Sequence, residues 1–222
     1  MEKKTDGFTT SKDQIKFSVV MPSYMGQYKT AAKNREEKII RAVQSVLNQS
    51  HKLWELLIIA DGCQKSIDII MENDFLDDER VKLFKIERES LWGGSPRNAG
   101  ISKATGDYVI YLDIDDEYMS MYLKNLSEEI VLKGSLKDWY YVDDYIYTPS
   151  GYALREADIN KQGRCGTSNV LHKPDLGVYW PKKGTYAHDY NFINVLKAMG
   201  KRFGKLDTSG YIVQHIPGSY DR

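Results

Sequence analysis

Cysteine is nearly absent from this chain: Cys63 and Cys165 are the two in 222 residues. Two thiols define neither a disulfide framework nor a zinc site, and both are expected to stay reduced, as in a cytoplasmic protein. No apolar run reaches the roughly 18 residues of a membrane span. The expected location is therefore cytoplasmic, with peripheral attachment to the inner face of a membrane left open. Met1 to Lys16 is polar and charged and has no signal-peptide apolar core. Residues 1–15 are expected to form a loose leader. Net charge is also missing, with 31 Lys+Arg against 31 Asp+Glu. The balance gives no argument for nucleic acid or another polyanion as partner. Internal repeats and low-complexity segments are lacking as well, so a solenoid is excluded. The length suits one domain with a sizeable core, and oligomeric state stays open.

What is present is a rhythm of apolar strands and amphipathic helices. Phe17 to Met21 is β-branched and apolar, and Pro22 is expected to stop it. Arg35 to Asn48 carries Ile39, Ile40, Val43, Val46 and Leu47 at helical spacing. Trp54 to Ala60 reads as a second strand ending at Asp61-Gly62, followed by a helix around Ser66 to Asn73. Val81 to Ile86 alternates as a half-buried strand, and a helix from Arg97 to Ala104 leads into a strand at Tyr108 to Leu112. A helix from Met119 to about Lys133 follows, then a β-prone run from Trp139 to Tyr147 with a hairpin turn at Thr148 to Gly151. Tyr152 to Gly184 reads as irregular, with a short helix near Lys173 to Leu176. A helix from Ala187 to Met199 and a strand from Tyr211 to His215 close the pattern. Alternating strands and helices predict an α/β fold around a mainly parallel sheet. Residues 16–118 form one expected half, and 119–222 a second half of the same domain.

In such sheets ligands gather at the carboxyl ends of the strands. Pro22-Ser23, Asp61-Gly62 and the acidic stretch Asp113, Asp115, Asp116 all fall there. Unpaired carboxylates side by side repel, and a hard divalent cation among their oxygens relieves that repulsion. The competing reading is a solvated acidic turn that caps the next helix. Neither is chosen by the cluster alone.

Four stretches, taken in order, resemble the inverting glycosyltransferases of family 2, which have the Rossmann-like nucleotide-sugar fold called GT-A. They are Ser18 to Tyr24, Glu55 to Gly62, Pro96 to Tyr108 and Leu112 to Asp116. The resemblance covers about residues 17–130 well and extends more loosely to 215. It implies a nucleotide-binding sheet with a small mixed C-terminal acceptor region. It also implies transfer from a nucleotide-diphospho-sugar, UDP-linked by preference, with Mn²⁺ or Mg²⁺. Pro22, Ser23 and Tyr24 would line the nucleoside pocket. Asp61 would accept from the nucleobase N–H, and Arg97 would approach the base or diphosphate. Asp113 and Asp115 would bracket ribose and sugar, and Asp116 would ligate the metal. Trp92 and Gly93-Gly94 would shape the neighbouring wall. One departure is Ala60, where many members carry a first Asp before Asp61.

Inversion needs a base opposite the leaving group. The family places an Asp, often after Glu, at a helix start. Here His188-Asp189 stands at that place, so Asp189 is the expected base. His215 is the candidate second metal ligand, as some members use a C-terminal His. Asp143-Asp144 reads as a solvent face or acceptor-site wall. The acceptor is expected to be a saccharide, lipid-linked or other hydroxyl compound. Two alternatives stand beside this reading: a nucleotide-sugar-binding module without catalysis, and a nucleotidyltransferase. The second lacks a Gly-rich basic loop near the first strand, since Pro22 to Tyr28 holds only Gly26.

Overall fold

The computed structural model describes residues 14–28, 30–89, 93–134, 136–181, 187–216 and 220–221. Most of the expected leader and Trp92 lie outside the described residues. Ile15 is fully buried and its amide donates to Ser127 Oγ at 3.0 Å, which anchors the chain from there onward.

The first half runs β1 (Phe17–Ser23), α1 (Arg35–Leu47), β2 (Trp54–Asp61), α2 (Gln64–Glu72), β3 (Val81–Ile86), α3 (Gly94–Lys103) and β4 (Tyr108–Tyr111). β1 outlasts the expected stop at Pro22, because Pro22 and Ser23 stay in register with Ile59 and Ala60 of β2. A proline is tolerated at such a strand end, where its missing donor matters least. The second half contributes β5 (Glu117–Tyr118), α4 (Tyr122–Leu132), β6 (Trp139–Tyr141), β7 (Asp144–Thr148), β8 (Gly151–Arg155), β9 (Val170–His172), α5 (His188–Ala198), β10 (Phe203–Lys205), β11 (Tyr211–Val213), β12 (His215–Ile216) and β13 (Tyr220–Asp221).

Seven strands form the central sheet in the order β10-β6-β9-β4-β1-β2-β3. All run parallel except β9, which is antiparallel to both β4 and β6. This is the expected mainly parallel α/β fold, and the sheet spans both halves of the chain. The order reverses between β1 and β4: β2 and β3 lie on one side of β1 and β4 on the other. That leaves a crevice at the carboxyl ends, the usual ligand position in open α/β sheets.

Apolar faces explain the layers. Ile39, Ala42, Val43 and Val46 of α1, Ile69 and Ile70 of α2, and Leu123, Leu126 and Ile130 of α4 pack on one face of the sheet. Ile101 of α3 and Phe192, Ile193 and Leu196 of α5 pack on the other. Because helices cover both faces, β2 is buried at every position.

The β-prone run Trp139 to Tyr147 is divided between two strands, β6 and β7. It breaks at Val142-Asp143, where the Val142 amide donates to Asn169 O at 2.9 Å. β6 therefore joins the central sheet, while β7 joins a second sheet of order β5-β11-β7-β8. The region after Tyr152 is more ordered than expected. It holds β8, and it holds β9, which fills the gap between β4 and β6. Three residues are too few to show a strand period, so nothing in the sequence marked β9.

Candidate active site

A cavity of about 950 Å³ opens at the carboxyl ends of the parallel strands. Ten of the residues singled out from the sequence for a site role line it: Pro22, Ser23, Tyr24, Asp61, Arg97, Asp113, Asp115, Asp116, Asp189 and His215; Gly93 lines it too, while Gly94, Asp143 and Asp144 do not.

At one end, β1 delivers Ser23 and Tyr24, and β2 delivers Asp61. Asp61 is 3 % exposed, and among the described residues its Oδ1 has no hydrogen-bond partner. Burial, with the Glu89 charge adding to it, pushes its carboxyl up to about 6. Asp61 does not cap the following helix, since Cys63 holds the N-cap position of α2. Gly62 makes the turn with φ of +63°, and a Cβ there would meet Arg88 Cβ at 2.7 Å. The turn thus needs glycine twice over, for backbone hand and for space. Arg88 lies with its guanidinium carbon 3.2 Å from the Tyr24 ring centroid. Among the described residues, its buried Nη1 has no hydrogen-bond partner, nor has Ser23 Oγ. Three buried polar atoms at one end of a cavity therefore await partners, an arrangement that costs stability unless a ligand supplies them.

The middle of the cavity is the acidic stretch after β4. Asp113 accepts from Arg97 Nη2 at 2.6 Å, and Arg97 is 5 % exposed. Burial opposes the charge on Arg97, but Asp113 and Asp189 outweigh it and keep the guanidinium protonated. Arg97 is thus a buried cation rather than a surface ion pair. Gly93, with φ of +71°, leaves room for it, since a Cβ there would stand 2.8 Å from Arg97 Nη1.

Asp115 and Asp116 differ. Asp116 is buried, and both its oxygens are engaged: Oδ2 accepts from Tyr211 Oη at 2.7 Å and Oδ1 from the Gln214 amide at 2.8 Å. It braces β11 against the acidic turn. Among the described residues, no other residue donates a hydrogen bond to the half-buried Asp115 carboxylate. Burial and the Asp113 charge raise it, and His215 and Lys38 only partly offset them. The helix-capping reading of this stretch fails, because α4 starts at Tyr122. Among the described residues, no group of three or more His, Cys, Asp or Glu could hold a metal ion.

His215 reaches the cavity wall with both ring nitrogens facing protein groups. Nε2 donates to Thr30 O at 3.0 Å, and Nδ1 lies 3.2 Å from Asp221 Oδ1. Asp221 also takes the Lys33 amide at 2.7 Å and the Lys38 ammonium. This latch ties β12 and β13 to the segment before α1.

At the far wall, α5 opens with His188 and Asp189. Ala187 is the N-cap residue, so Asp189 sits in the first turn and does not cap. Asp189 Oδ1 lies 2.8 Å from His188 Nε2 and accepts from Thr167 Oγ1 at 3.2 Å. Burial would raise its carboxyl, but the His188 hydrogen bond and charge, Arg97 and Thr167 outweigh burial and lower it. His188 Nε2 is also 3.3 Å from Arg97 Nη1. Asp113, Arg97, His188 and Asp189 thus form one continuous polar chain across the cavity floor.

Sequence reading missed Arg88, Thr167, Arg155 and Tyr211, which also line the cavity. Arg88 sits between Glu87 and Glu89 and looks like part of a solvated loop. Asp144 is not a solvent face: it is fully buried, because Arg155 and Ser168 bond to it. Trp180 is core and stacks on Phe192 at 4.0 Å.

Residues 18–177 match the model of the family described as glycosyl transferase family 2. A putative teichuronic acid biosynthesis glycosyltransferase, TuaG, of Bacillus subtilis is 26 % identical over 200 residues, covering 78 % of this chain and 75 % of the relative. A Campylobacter jejuni GalNAc(5)-diNAcBac-PP-undecaprenol beta-1,3-glucosyltransferase is 28 % identical over 114 residues, 51 % of this chain and 34 % of the relative. The chain spans only about a third of the length of several curated relatives that it matches. Among solved structures, S. aureus TarS 1-349 in complex with UDP-GlcNAc superposes with a TM-score of 0.71 at 21 % identity, covering 92 % of this chain and 60 % of that one. The mannosyltransferase PcManGT from Pyrobaculum calidifontis, in complex with GDP-Man and Mn2+, gives 0.60 at 12 % identity, covering 97 % and 61 %. These likenesses show the GT-A fold.

Proposed function

This chain belongs to glycosyl transferase family 2, and we propose that it transfers a sugar from a UDP-sugar to an acceptor hydroxyl with inversion at the anomeric carbon. The observation that carries the donor assignment is the orphaned pair at the base end, Asp61 Oδ1 and Arg88 Nη1. Uracil offers an imide N–H flanked by carbonyl oxygens, so one edge supplies a donor to Asp61 and an acceptor to Arg88. Cytosine offers a ring acceptor where Asp61 needs a donor. Tyr24 gives the base a ring to stack on. The UDP-GlcNAc held by the S. aureus relative supports the same choice.

A divalent ion, Mn²⁺ or Mg²⁺, fits the crowded carboxylates, and we assign its protein ligand to Asp115 rather than to the Asp116 of the sequence reading. Asp116 is already spent on Tyr211 and Gln214, whereas burial beside Asp113 raises the Asp115 carboxyl. One or two protein carboxylates suffice for such an ion when a diphosphate completes its shell. The ion would supply positive charge against the departing diphosphate. His215 gives up Thr30 or Asp221 if it joins the ion, so in the present arrangement its role is the latch.

The chain's own groups do the rest. Arg97, fixed by Asp113, holds positive charge at the cavity floor. Asp189 takes the acceptor hydroxyl proton, the hydroxyl oxygen bonds to the anomeric carbon, and the carbon–oxygen bond to the diphosphate breaks. Hydrogen bonds that lower the Asp189 carboxyl keep it ionised for this purpose. Asp189→Asn should lower transfer about 10²–10⁴-fold while UDP affinity persists, and product anomer analysis by NMR of the wild type should show inversion. Full transfer by Asp189→Asn overturns the base assignment. UDP-sugar binding by the wild type without transfer to any acceptor favours the binding-module alternative.

A further inference from the structure

The cavity wall made by the second half of the chain carries an arginine that the transfer chemistry above does not use. Arg155 ends β8, directly across the ladder from Asp144 on β7. Asp144 is 0 % exposed, and it accepts from Arg155 Nε at 2.8 Å, from Arg155 Nη2 at 2.5 Å and from Ser168 Oγ at 2.5 Å. These bonds fix the guanidinium plane and consume one edge of it. The side chain keeps about a quarter of its surface open, 26 %, and lines the cavity. Among the described residues, Nη1 has no hydrogen-bond partner.

From this geometry we infer that Arg155 binds an anionic group, a phosphate or a carboxylate, carried by the sugar acceptor. The inference rests on the transferase reading above. Its first support is the free edge: a guanidinium presents its N–H groups as a planar fork that suits an oxyanion, and a fork already pinned on its other edge loses little freedom on binding. Its second support is the neighbourhood. Thr167 and Ser168 are consecutive, and Thr167 donates to Asp189 while Ser168 donates to Asp144. One peptide therefore ties the arginine's anchor to the proposed base, and Arg155 and Asp189 line the same cavity. The third is the spending of the other cavity arginines. Arg97 is committed to Asp113, and Arg88 lies over Tyr24 at the base end. The simpler role, neutralising Asp144, accounts for the bonded edge but not for the unpartnered Nη1 of a side chain that lines the cavity.

The test uses paired acceptors with the wild-type chain and a UDP-sugar donor: phenyl β-glucoside against phenyl β-glucuronide, and against phenyl β-glucoside 6-phosphate. UDP affinity is measured by calorimetry on the same samples. At least one anionic member should exceed the neutral one about tenfold in kcat/KM, and the better member tells carboxylate from phosphate. The double variant Asp144→Asn/Arg155→Gln keeps a neutral hydrogen-bonded pair and should bring that ratio close to one, with UDP affinity within about twofold of wild type. Arg155→Lys, which retains a cation for Asp144, should lower the ratio at least about threefold and serves if the double variant does not fold. UDP binding with equal use of neutral and anionic members, with use of the neutral member alone, or with no use of the anionic members overturns this inference alone. So does a ratio that the variants leave unchanged. Absence of UDP binding by the wild type overturns the transferase reading and this inference with it.

Discussion

Strand β2 carries a carboxylate at each end, and the two are held in opposite ways. Glu55, at the amino end, is 2 % exposed and fully answered. Its Oε1 accepts from Ser18 Oγ at 2.7 Å and from Thr105 N and Oγ1 at 2.7 and 2.8 Å, and its Oε2 pairs with Lys82 at 2.8 Å. Burial alone would raise this carboxyl, but those bonds lower it from 4.5 to about 2. Asp61, at the carboxyl end, is equally buried and unanswered at Oδ1, and it rises from 3.8 to about 6. The same strand thus has one end whose carboxylate stabilises the sheet and one whose carboxylate is left, among the described residues, without a partner at the cavity. Unsatisfied polar groups and shifted carboxyls gather where a protein binds something, and that is how the two ends are told apart.

Substitutions should break this symmetry in opposite directions. The largest effect is expected at the carboxyl edge: Asp189→Asn should lower the transfer rate about 10²–10⁴-fold, the usual worth of a general base, with UDP affinity retained by calorimetry. At the amino edge, Glu55→Gln should cost about 3 kcal/mol at neutral pH, the equivalent of its lowered carboxyl, read by denaturant melts, with UDP affinity unchanged. The sign follows from linkage: a carboxyl lower in the folded state stabilises above its unfolded value and loses that contribution as pH falls from about 4.5 toward 2. Asp61→Asn should do the reverse. Its raised carboxyl stabilises the fold in full below about 3.8, and that contribution is lost as pH rises through about 6. Removing the charge should therefore stabilise the ligand-free chain by about 1–3 kcal/mol at pH 7. A smaller effect sharpens the comparison further. UDP affinity of the wild type should fall as pH drops below about 6, where Asp61 takes a proton, and this decline should be absent from Asp61→Asn.

The carboxyl edge was legible in the sequence because it is written in residues that strands avoid. Pro22, Asp61 and the acidic cluster from Asp113 to Asp116 each interrupt an apolar run, and the α/β rhythm says that such interruptions meet. The amino edge was not legible, since Ser18, Glu55 and Thr105 look like ordinary polar positions until the fold brings them together. Within the site, the division of labour between Asp115 and Asp116 was also hidden. It depends on Tyr211 and Gln214, about a hundred residues away, reaching back to one carboxylate and not to its neighbour. Arg155 escaped notice because its strand is short and lies in a stretch rich in Gly and Lys. Its function is visible only from the buried Asp144 opposite.

The most direct test of the contrast between the two ends of β2 is calorimetric titration of UDP, with CDP and GDP as controls, into wild type, Glu55→Gln and Asp61→Asn, each with Mn²⁺ and with chelator. The expected result is UDP binding by wild type and Glu55→Gln, tightened by the ion and weakened by at least about tenfold in Asp61→Asn, whose melting temperature rises. Failure of the folded wild type to bind UDP, or unchanged UDP affinity in Asp61→Asn, would contradict it.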